Sequence, residues 1–344
     1  MIEGPLTMPW KKLATNLLRA NLGELANPYK VLLVVTKQCF SKCRNCHIWQ
    51  AKPENELRLE EIEKIAERNP FFQWLNLTGG EPTEREDLPE IVAAFRRHCP
   101  DLAFVNFATN GLRPERAERM CAEIQKLRPP HFVVTVSVDG PPDVNDHLRG
   151  IPGDFERAAD TLARLRRLGV KAYAGLTLYP ENVARIDETV AALRKTLGEF
   201  THRDLHLNVA HGSGHYFGHD RRPGAEARDT TAAIDAFLRA RGFPRSPFDV
   251  VERLYLKKAK SFLATGETPI PCSATRSSIY ISEHGVVYPC SIWEQPLGSL
   301  RDSGYRLAPI LEAATAVRER VKRKDCPNCW TPCEAYPSLA AHLR

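Results

Sequence analysis

The feature that most limits the fold is an alternation of two kinds of segment. Six β-rich runs, KVLLVVT (30–36), WLNLT (74–78), AFVNFAT (103–109), HFVVTVSV (131–138), KAYAGLTL (171–178) and DLHLNVA (204–210), are separated by helical patterns near 59–69, 86–98, 114–127, 155–168 and 185–196. A strand that reaches its successor through a helix must run parallel to it, because the helix supplies the crossover. Six such units suggest an α/β fold that is a TIM-like barrel or a part of one, such as a partial (βα)6 barrel, with a small C-terminal cysteine-rich module. In such an architecture chemistry gathers at the C-terminal ends of the strands, and every motif discussed below follows a strand. Asp154 is placed to cap the fourth helix, and Gly169 follows its end.

Beyond residue 210 the pattern changes to a polar loop, HGSGHYFGHDRRPGAEARD, then to helical stretches near 229–241 and 247–264. After TGETPIP comes SSIYISEHGVVYP, which reads as a hairpin turning at Glu283 to Gly285. The expected organisation is an N-terminal helical segment (1–28), a barrel with C-terminal helices (29–267) and the cysteine-rich module (268–344). With 344 residues, 43% of them hydrophobic, a sizeable core is within reach.

The formal charge of +6 is spread among alternating signs, which argues against nucleic acid as a partner. No apolar run approaches the roughly 20 residues of a transmembrane helix, and the N-terminus lacks the apolar stretch of a signal peptide. A cytoplasmic protein is expected. The stretch MPWKKLATNLLRANLGEL carries an apolar stripe (Trp10, Leu13, Leu17, Leu18, Leu22, Leu25) beside basic residues. That stripe either covers the barrel or makes peripheral membrane contact.

Eight of the ten cysteines form two groups, and clustered thiols in a reducing compartment point to metal. Cys99 and Cys121 stand alone in helical patterns and read as small buried apolar residues. The first group is TKQCFSKCRNCHIW, with Cys39, Cys43 and Cys46 spaced C-x3-C-x2-C on the loop leaving the first strand. Structural zinc takes four ligands and favours paired C-x2-C knuckles. A zinc site would need His47 as its fourth ligand. A four-iron cubane on three cysteines instead keeps one iron open for a small molecule. The second strand runs into LTGGEP, Leu77 to Pro82. There Gly79 and Gly80 would let a ligand approach the backbone and Glu81 would offer a carboxylate to an amine. The alternative is a tight turn before a helix.

On these residues the chain resembles the radical S-adenosylmethionine (radical SAM) superfamily, through Cys39, Cys43 and Cys46 and through Gly79, Gly80, Glu81 and Pro82, over roughly residues 28–210. The resemblance implies a [4Fe-4S] cluster whose open iron is chelated by S-adenosylmethionine. It also implies reductive cleavage to a 5′-deoxyadenosyl radical, the cofactor carrying the difficult chemistry. Many members have an aromatic residue just before the third cysteine. Here Asn45 stands instead, leaving backbone around His47 as the substitute adenine contact. SVDGPPDVNDHLRG after the fourth strand looks like the S-L-D-G … R-G stretch of members with extra clusters, which implies that Ser137 and Asp139 face the ribose and Arg149 the cofactor carboxylate. Asn110, in ATNG after the third strand, has the same position. A stiff turn, a surface charge and an Asn-Gly turn are the plain alternatives.

The second group comprises Cys272, Cys290, Cys326, Cys329 and Cys333, with Gly285 preceding Cys290 and CPNCWTPC near the end. It resembles the twitch and SPASM extensions and implies one auxiliary [4Fe-4S] cluster. Cys272 and Cys290 would be joined by two of the last three cysteines, with one thiol over. A zinc ribbon is the alternative. His211, His215 and Tyr216 on the sixth loop are candidate catalytic residues facing substrate. The expected activity is radical abstraction of hydrogen from an unactivated C–H bond, an oxidoreductase-type reaction on a small molecule such as a sugar, alcohol or lipid precursor. Flavodoxin or ferredoxin would be the electron donor. Peptide maturation is the alternative, and a non-catalytic zinc or iron–sulfur sensor or electron carrier is the rival of another class.

Overall fold

The computed structural model describes residues 9–22, 25–220 and 226–342. The strands are β1 (Lys30–Thr36), β2 (Trp74–Gly79), β3 (Phe104–Thr109), β4 (His131–Ser137), β5 (Lys171–Leu178), β6 (Leu205–Val209), β7 (Ser278–Ile281), β8 (Val286–Tyr288) and β9 (Gly298–Ser299). The helices are α1 (Pro9–Leu22), α2 (Leu59–Arg68), α3 (Leu88–His98), α4 (Pro114–Lys126), α5 (Pro142–Arg149), α6 (Asp154–Arg167), α7 (Ile186–Leu197), α8 (Gly214–Phe217), α9 (Ala227–Arg241), α10 (Pro247–Thr265), α11 (Ala308–Ala313), α12 (Thr315–Lys322) and α13 (Pro332–Ala340).

One sheet runs in the order β6-β5-β4-β3-β2-β1-β7-β8-β9. Its members from β6 to β7 are parallel, and β8 and β9 continue it antiparallel. This is the expected α/β partial barrel. The hairpin expected in the C-terminal stretch forms between β7 and β8, turning through Gly285 at φ +80°. Because β7 pairs with β1, the cysteine-rich module shares the barrel's sheet.

Side-chain alternation explains how the strands are buried. On β1, Val31, Leu33 and Val35 enter the main core under the helices, whereas Leu32 and Val34 pack with Tyr280 on the inner face. On β6, Leu205, Leu207 and Val209 enter the core, and His206 and Asn208 on the opposite face are only half-buried. The helices return matching stripes, such as Ala117, Met120, Cys121 and Ile124 on α4, spaced at three and four residues. Each such Leu or Ile, fully buried, contributes about 1.5–3 kcal/mol. Cys99 and Cys121 are buried in this core, as expected of lone small residues.

α10 and α13 pack together, and α10 also packs on β6. Lys30 Nζ donates to the carbonyl oxygen of Cys333, Ser278 Oγ to Glu334, and Tyr336 OH to Glu252. α1 packs against α13, and Lys12 pairs with Asp101. The side chains of Trp10, Leu18 and Leu22 lie outside the described residues. No described helix is long and apolar enough to cross a membrane.

One local expectation is corrected. Asp154 is not the cap of its helix: Gly153 holds that position, and Asp154 is buried, accepting from Asn145 Nδ2 at 2.8 Å. Burial pushes its carboxyl up to about 6. Pro142 opens α5, because proline at the first helical position loses no hydrogen bond. Within the polar loop after β6 a short helix, α8, forms and ends at Gly218 in the left-handed region.

Candidate active site

The cysteine loop after β1 is gripped from three sides by backbone. From β2, Gly80 N–H donates to Thr36 O and Glu81 N–H to Gln38 O, both at 2.8 Å. From the end of α5, Arg149 O and Leu148 O accept from Lys42 N–H (3.2 Å) and Arg44 N–H (2.9 Å). From the sixth loop, Phe217 O accepts from His47 N–H at 2.8 Å, and His219 Nε2 lies 3.0 Å from Asn45 O.

The glycines make these approaches possible, and this corrects their expected role. A Cβ at Gly79 would lie 2.1 Å from Thr36 O, and one at Gly80 2.4 Å from Gln38 O and 2.5 Å from Lys37 O. They admit the cysteine loop's own backbone rather than serving only a ligand. Gly150, in the left-handed region, does the same for Lys42 O at 2.3 Å. Glu81 is also corrected. Its buried carboxylate accepts from Thr83 N–H (3.1 Å), Thr83 Oγ1 (2.6 Å), Thr109 Oγ1 (2.8 Å) and Asn110 N–H (2.6 Å). Three of these donors converge on Oε1 and one on Oε2, and the side chain is buried and takes no part in the cavity wall, so Glu81 braces the loops after β2 and β3.

Cys39, Cys43 and Cys46 line one cavity at the C-terminal ends of the strands. Its wall also includes Gly79, Gly80, Asn110, Ser137, Asp139 and Arg149, together with Thr78, Thr177, Tyr179 and Tyr216. Burial pushes the Cys39 thiol up to about 12, helped by the Glu81 charge, and Cys46 up to about 11. Cys43 is raised by burial too, with Arg149 opposing. Thiols held protonated in this way become ligands only when a metal displaces their protons. Among the described residues no three His, Cys, Asp or Glu side chains converge closely enough for a single metal ion. Three thiols on one cavity wall beside ligand-sized space fit a cluster with an open position.

The charged groups of the wall are fixed. Arg149 donates to Asp139 Oδ2 at 3.2 Å and stands 3.9 Å from Asp154, and Asp139 Oδ1 accepts from Thr177 N–H at 2.9 Å. The Arg149 side chain is only 11% exposed and lies against two carboxylates, so it is not a surface charge. Asn110 forms the turn of its plain alternative, Oδ1 accepting from Leu112 N–H at 2.9 Å, and its Nδ2 lies 3.9 Å from Cys39 Sγ.

The three candidates on the sixth loop separate. Tyr216 lines the cavity, its hydroxyl 2.5 Å from Thr78 Oγ1. His211 does not; it is buried, accepting from Trp330 N–H at 3.3 Å and packing on Phe262. His215 does not line it either. Its ring stacks on Tyr288 at 4.7 Å with Nε2 3.2 Å from Cys290 O, and burial pushes it down to about 4. Thr177 and Tyr179 were missed. They stand at the end of β5 and just beyond it, where the strand-end logic used for Ser137 would have found them.

The C-terminal thiols also separate. Cys272, Cys290, Cys326 and Cys329 share one apolar cluster with Ala274, Ile292, Trp293 and Val321. Cys333 packs elsewhere, with Leu32, Val34, Tyr216, Tyr280 and Tyr288 on the inner face of the sheet.

Residues 33–193 match the radical SAM superfamily. The chain carries a radical SAM domain. That superfamily uses S-adenosylmethionine and a [4Fe-4S] cluster. The chain is similar to the Fe-coproporphyrin III synthase of Methanosarcina barkeri, 33% identical over 183 residues, 51% of this chain and 43% of that protein. It is similar to the sporulation killing factor maturation protein SkfB of Bacillus subtilis, 23% identical over 307 residues, 87% of this chain and 68% of that protein. The chain thus spans less than half the length of the first of these relatives. In fold it is similar to anSMEcpe with bound AdoMet and Cp18Cys peptide, with a TM-score of 0.61 at 16% identity, covering 86% of this chain and 83% of that one.

Proposed function

We propose that this radical SAM protein is a peptide-modifying oxidoreductase. Cys39, Cys43 and Cys46 would hold the catalytic [4Fe-4S] cluster, and Asn110, Ser137, Asp139, Arg149 and the backbone of Gly79 and Gly80 would surround S-adenosylmethionine. The observation that carries the reading is the cavity, which gathers these residues from the ends of four strands and the loops beyond them into one wall. When bound, cluster and cofactor supply hydrogen-atom abstraction from an unactivated C–H bond. The protein's share is positioning. The Asp139–Arg149 pair presents a fixed cation beside the thiols, the Glu81 brace holds the loops after β2 and β3, and Tyr216 closes the wall opposite.

Cys272, Cys290, Cys326 and Cys329 would hold an auxiliary [4Fe-4S] cluster in a twitch-like module, fully ligated and suited to electron transfer, with Cys333 the thiol left over. A flavodoxin or ferredoxin would supply the electron. Peptide replaces small molecule as the first reading because the similarity to a peptide maturation protein extends over 87% of the chain. Action on a tetrapyrrole is the second reading, favoured by the 33% identity to an Fe-coproporphyrin III synthase.

The test is 5′-deoxyadenosine formation by anaerobically reconstituted, reduced protein given S-adenosylmethionine. It is run with synthetic short peptides, including any encoded beside the gene, and with a panel of iron tetrapyrroles. Stimulation by a peptide that loses mass supports the first reading, and stimulation by a tetrapyrrole transfers the site to the second. Bound zinc with no iron and no 5′-deoxyadenosine would overturn both.

A further inference from the structure

The cysteine loop has an outer side that no motif explains. Cys39 and Cys43 line the cavity and Ser41 between them is buried, whereas Phe40, Lys42 and Arg44 are exposed. The loop turns thiols inward, and an aromatic ring and two cations outward. Phe40 is 46% exposed, one of the few large apolar side chains that the described residues leave in water. Its Cα stands one peptide, about 3.8 Å, from that of Cys39.

A basic groove adjoins the ring. Arg113, just before α4, lays its guanidinium over Phe40 at 4.6 Å from the ring centroid, the stacking that a planar cation favours. Arg113 also lines a groove with Arg116, Arg119 on α4 and Arg157 on α6. Glu115 lines it too, but its carboxylate is paired with Arg164 at 2.7 Å. Arg113 and Arg116 share Glu84, at 3.2 Å and 3.9 Å. Lys42, Arg119 and Arg157 are exposed, and among the described residues none of them is in an ion pair. Positive charge is therefore in local excess around one exposed aromatic ring. Arginine and aromatic side chains are where binding energy concentrates, and unlike charge steers the encounter, so the fitting partner is acidic. A substrate belongs on the cavity side of the loop. What has to approach from the outer side is the source of the electron.

We infer that Phe40, with Lys42, Arg44, Arg113, Arg119 and Arg157 around it, is the docking surface for a small acidic protein that carries one electron at low potential. The carrier gives up one electron across the loop, and no bond forms or breaks in that transfer. Contacts of this kind are small, under about 1,200 Å². The inference rests on the reading of Cys39, Cys43 and Cys46 as the holders of the catalytic cluster.

The experiment measures binding, by calorimetry, between the reconstituted protein with oxidised clusters and two acidic carriers, an oxidised flavodoxin and an oxidised plant-type ferredoxin. At least one should bind, more weakly as salt is raised. Its affinity should fall at least about tenfold in Arg119→Glu/Arg157→Glu and about threefold in Phe40→Ala. With that carrier as reductant, 5′-deoxyadenosine formation should fall in step, while formation driven by dithionite stays at the wild-type level in the double variant. Binding unchanged in both variants, or no binding of either carrier to the wild type, overturns the inference. An acidic synthetic peptide that loses affinity in the variants while the carriers do not gives the surface to a peptide and also overturns it. A wild type that forms no 5′-deoxyadenosine even with dithionite fails the reading of the triplet instead, and the binding comparison does not depend on that result.

Discussion

The two cysteine groups use the same side chain to opposite ends. The triplet lies on a loop whose thiols face a cavity, and its rigidity comes from backbone hydrogen bonds supplied by β2, α5 and the sixth loop. The C-terminal four are packed among Ile292, Trp293 and Val321, with apolar side chains where the triplet has open space. A ligand set that must admit a substrate-sized molecule keeps a vacancy and is braced from behind. One that only has to hold metal can be closed by packing.

The largest effect should come from breaking the triplet. Cys43→Ala is expected to lose about four irons per chain and to lower 5′-deoxyadenosine formation at least about a hundredfold, since the open-site cluster generates the chemistry. Cys329→Ala should lose about four irons from the other group and still form 5′-deoxyadenosine. Iron analysis and chromatography of the two variants side by side check this. Equal losses of cleavage would erase the proposed distinction.

Next is the bracing. Gly80→Ala places a Cβ 2.4–2.7 Å from backbone atoms of Lys37 and Gln38, which cannot move without moving the cysteine loop. It is expected to cost about 2–4 kcal/mol and to impair iron retention by the triplet alone. Gly169→Ala, at φ +81° with nothing within 4 Å, should cost only the backbone strain of about 1–2 kcal/mol. Urea unfolding with iron counts separates the two.

The same contrast explains what the sequence disclosed. The barrel was legible because each strand and helix carries its own period: Val31, Leu33 and Val35 alternate, and Ala117, Cys121 and Ile124 recur at helical spacing. The triplet and GGEP were legible because their chemistry is local in sequence. Roles that depend on what crosses the loops were not. Glu81 looked like a free carboxylate because Thr109 and Asn110, its donors, lie nearly thirty residues on. His211 and His215 looked available because their partners, Trp330 and Tyr288, come from the C-terminal module. Cys333 could not be told from its neighbours, since only the fold turns it toward β1.

A smaller effect tests the packing that joins the two groups. His215 sits between Tyr288 and the backbone of Cys290, and burial lowers it to about 4. The unfolded chain binds this proton near pH 6.5 and the folded chain only near 4, so the unfolded state holds more protons in between. Stability is therefore lost as the pH falls from about 6.5 to 4, by roughly 1–2 kcal/mol for a ring still partly in water. His215→Gln should flatten that part of the urea midpoint against pH. A native slope that survives the substitution would place the titrating group elsewhere.

The smallest expected effect divides the second group most sharply. Cys333→Ala should leave the iron content unchanged, because Cys333 packs on Leu32, Val34 and Tyr280 while the other four thiols share a separate cluster. Truncating one sulfur there leaves a small void and should cost about 1 kcal/mol. The carbonyl that Lys30 grips belongs to the backbone and survives the change. A loss of about four irons in Cys333→Ala would instead make Cys333 a ligand and leave one of Cys272, Cys290, Cys326 and Cys329 spare. The auxiliary group would then reach the inner face of the barrel, and the contrast between an open and a closed set of thiols would fail.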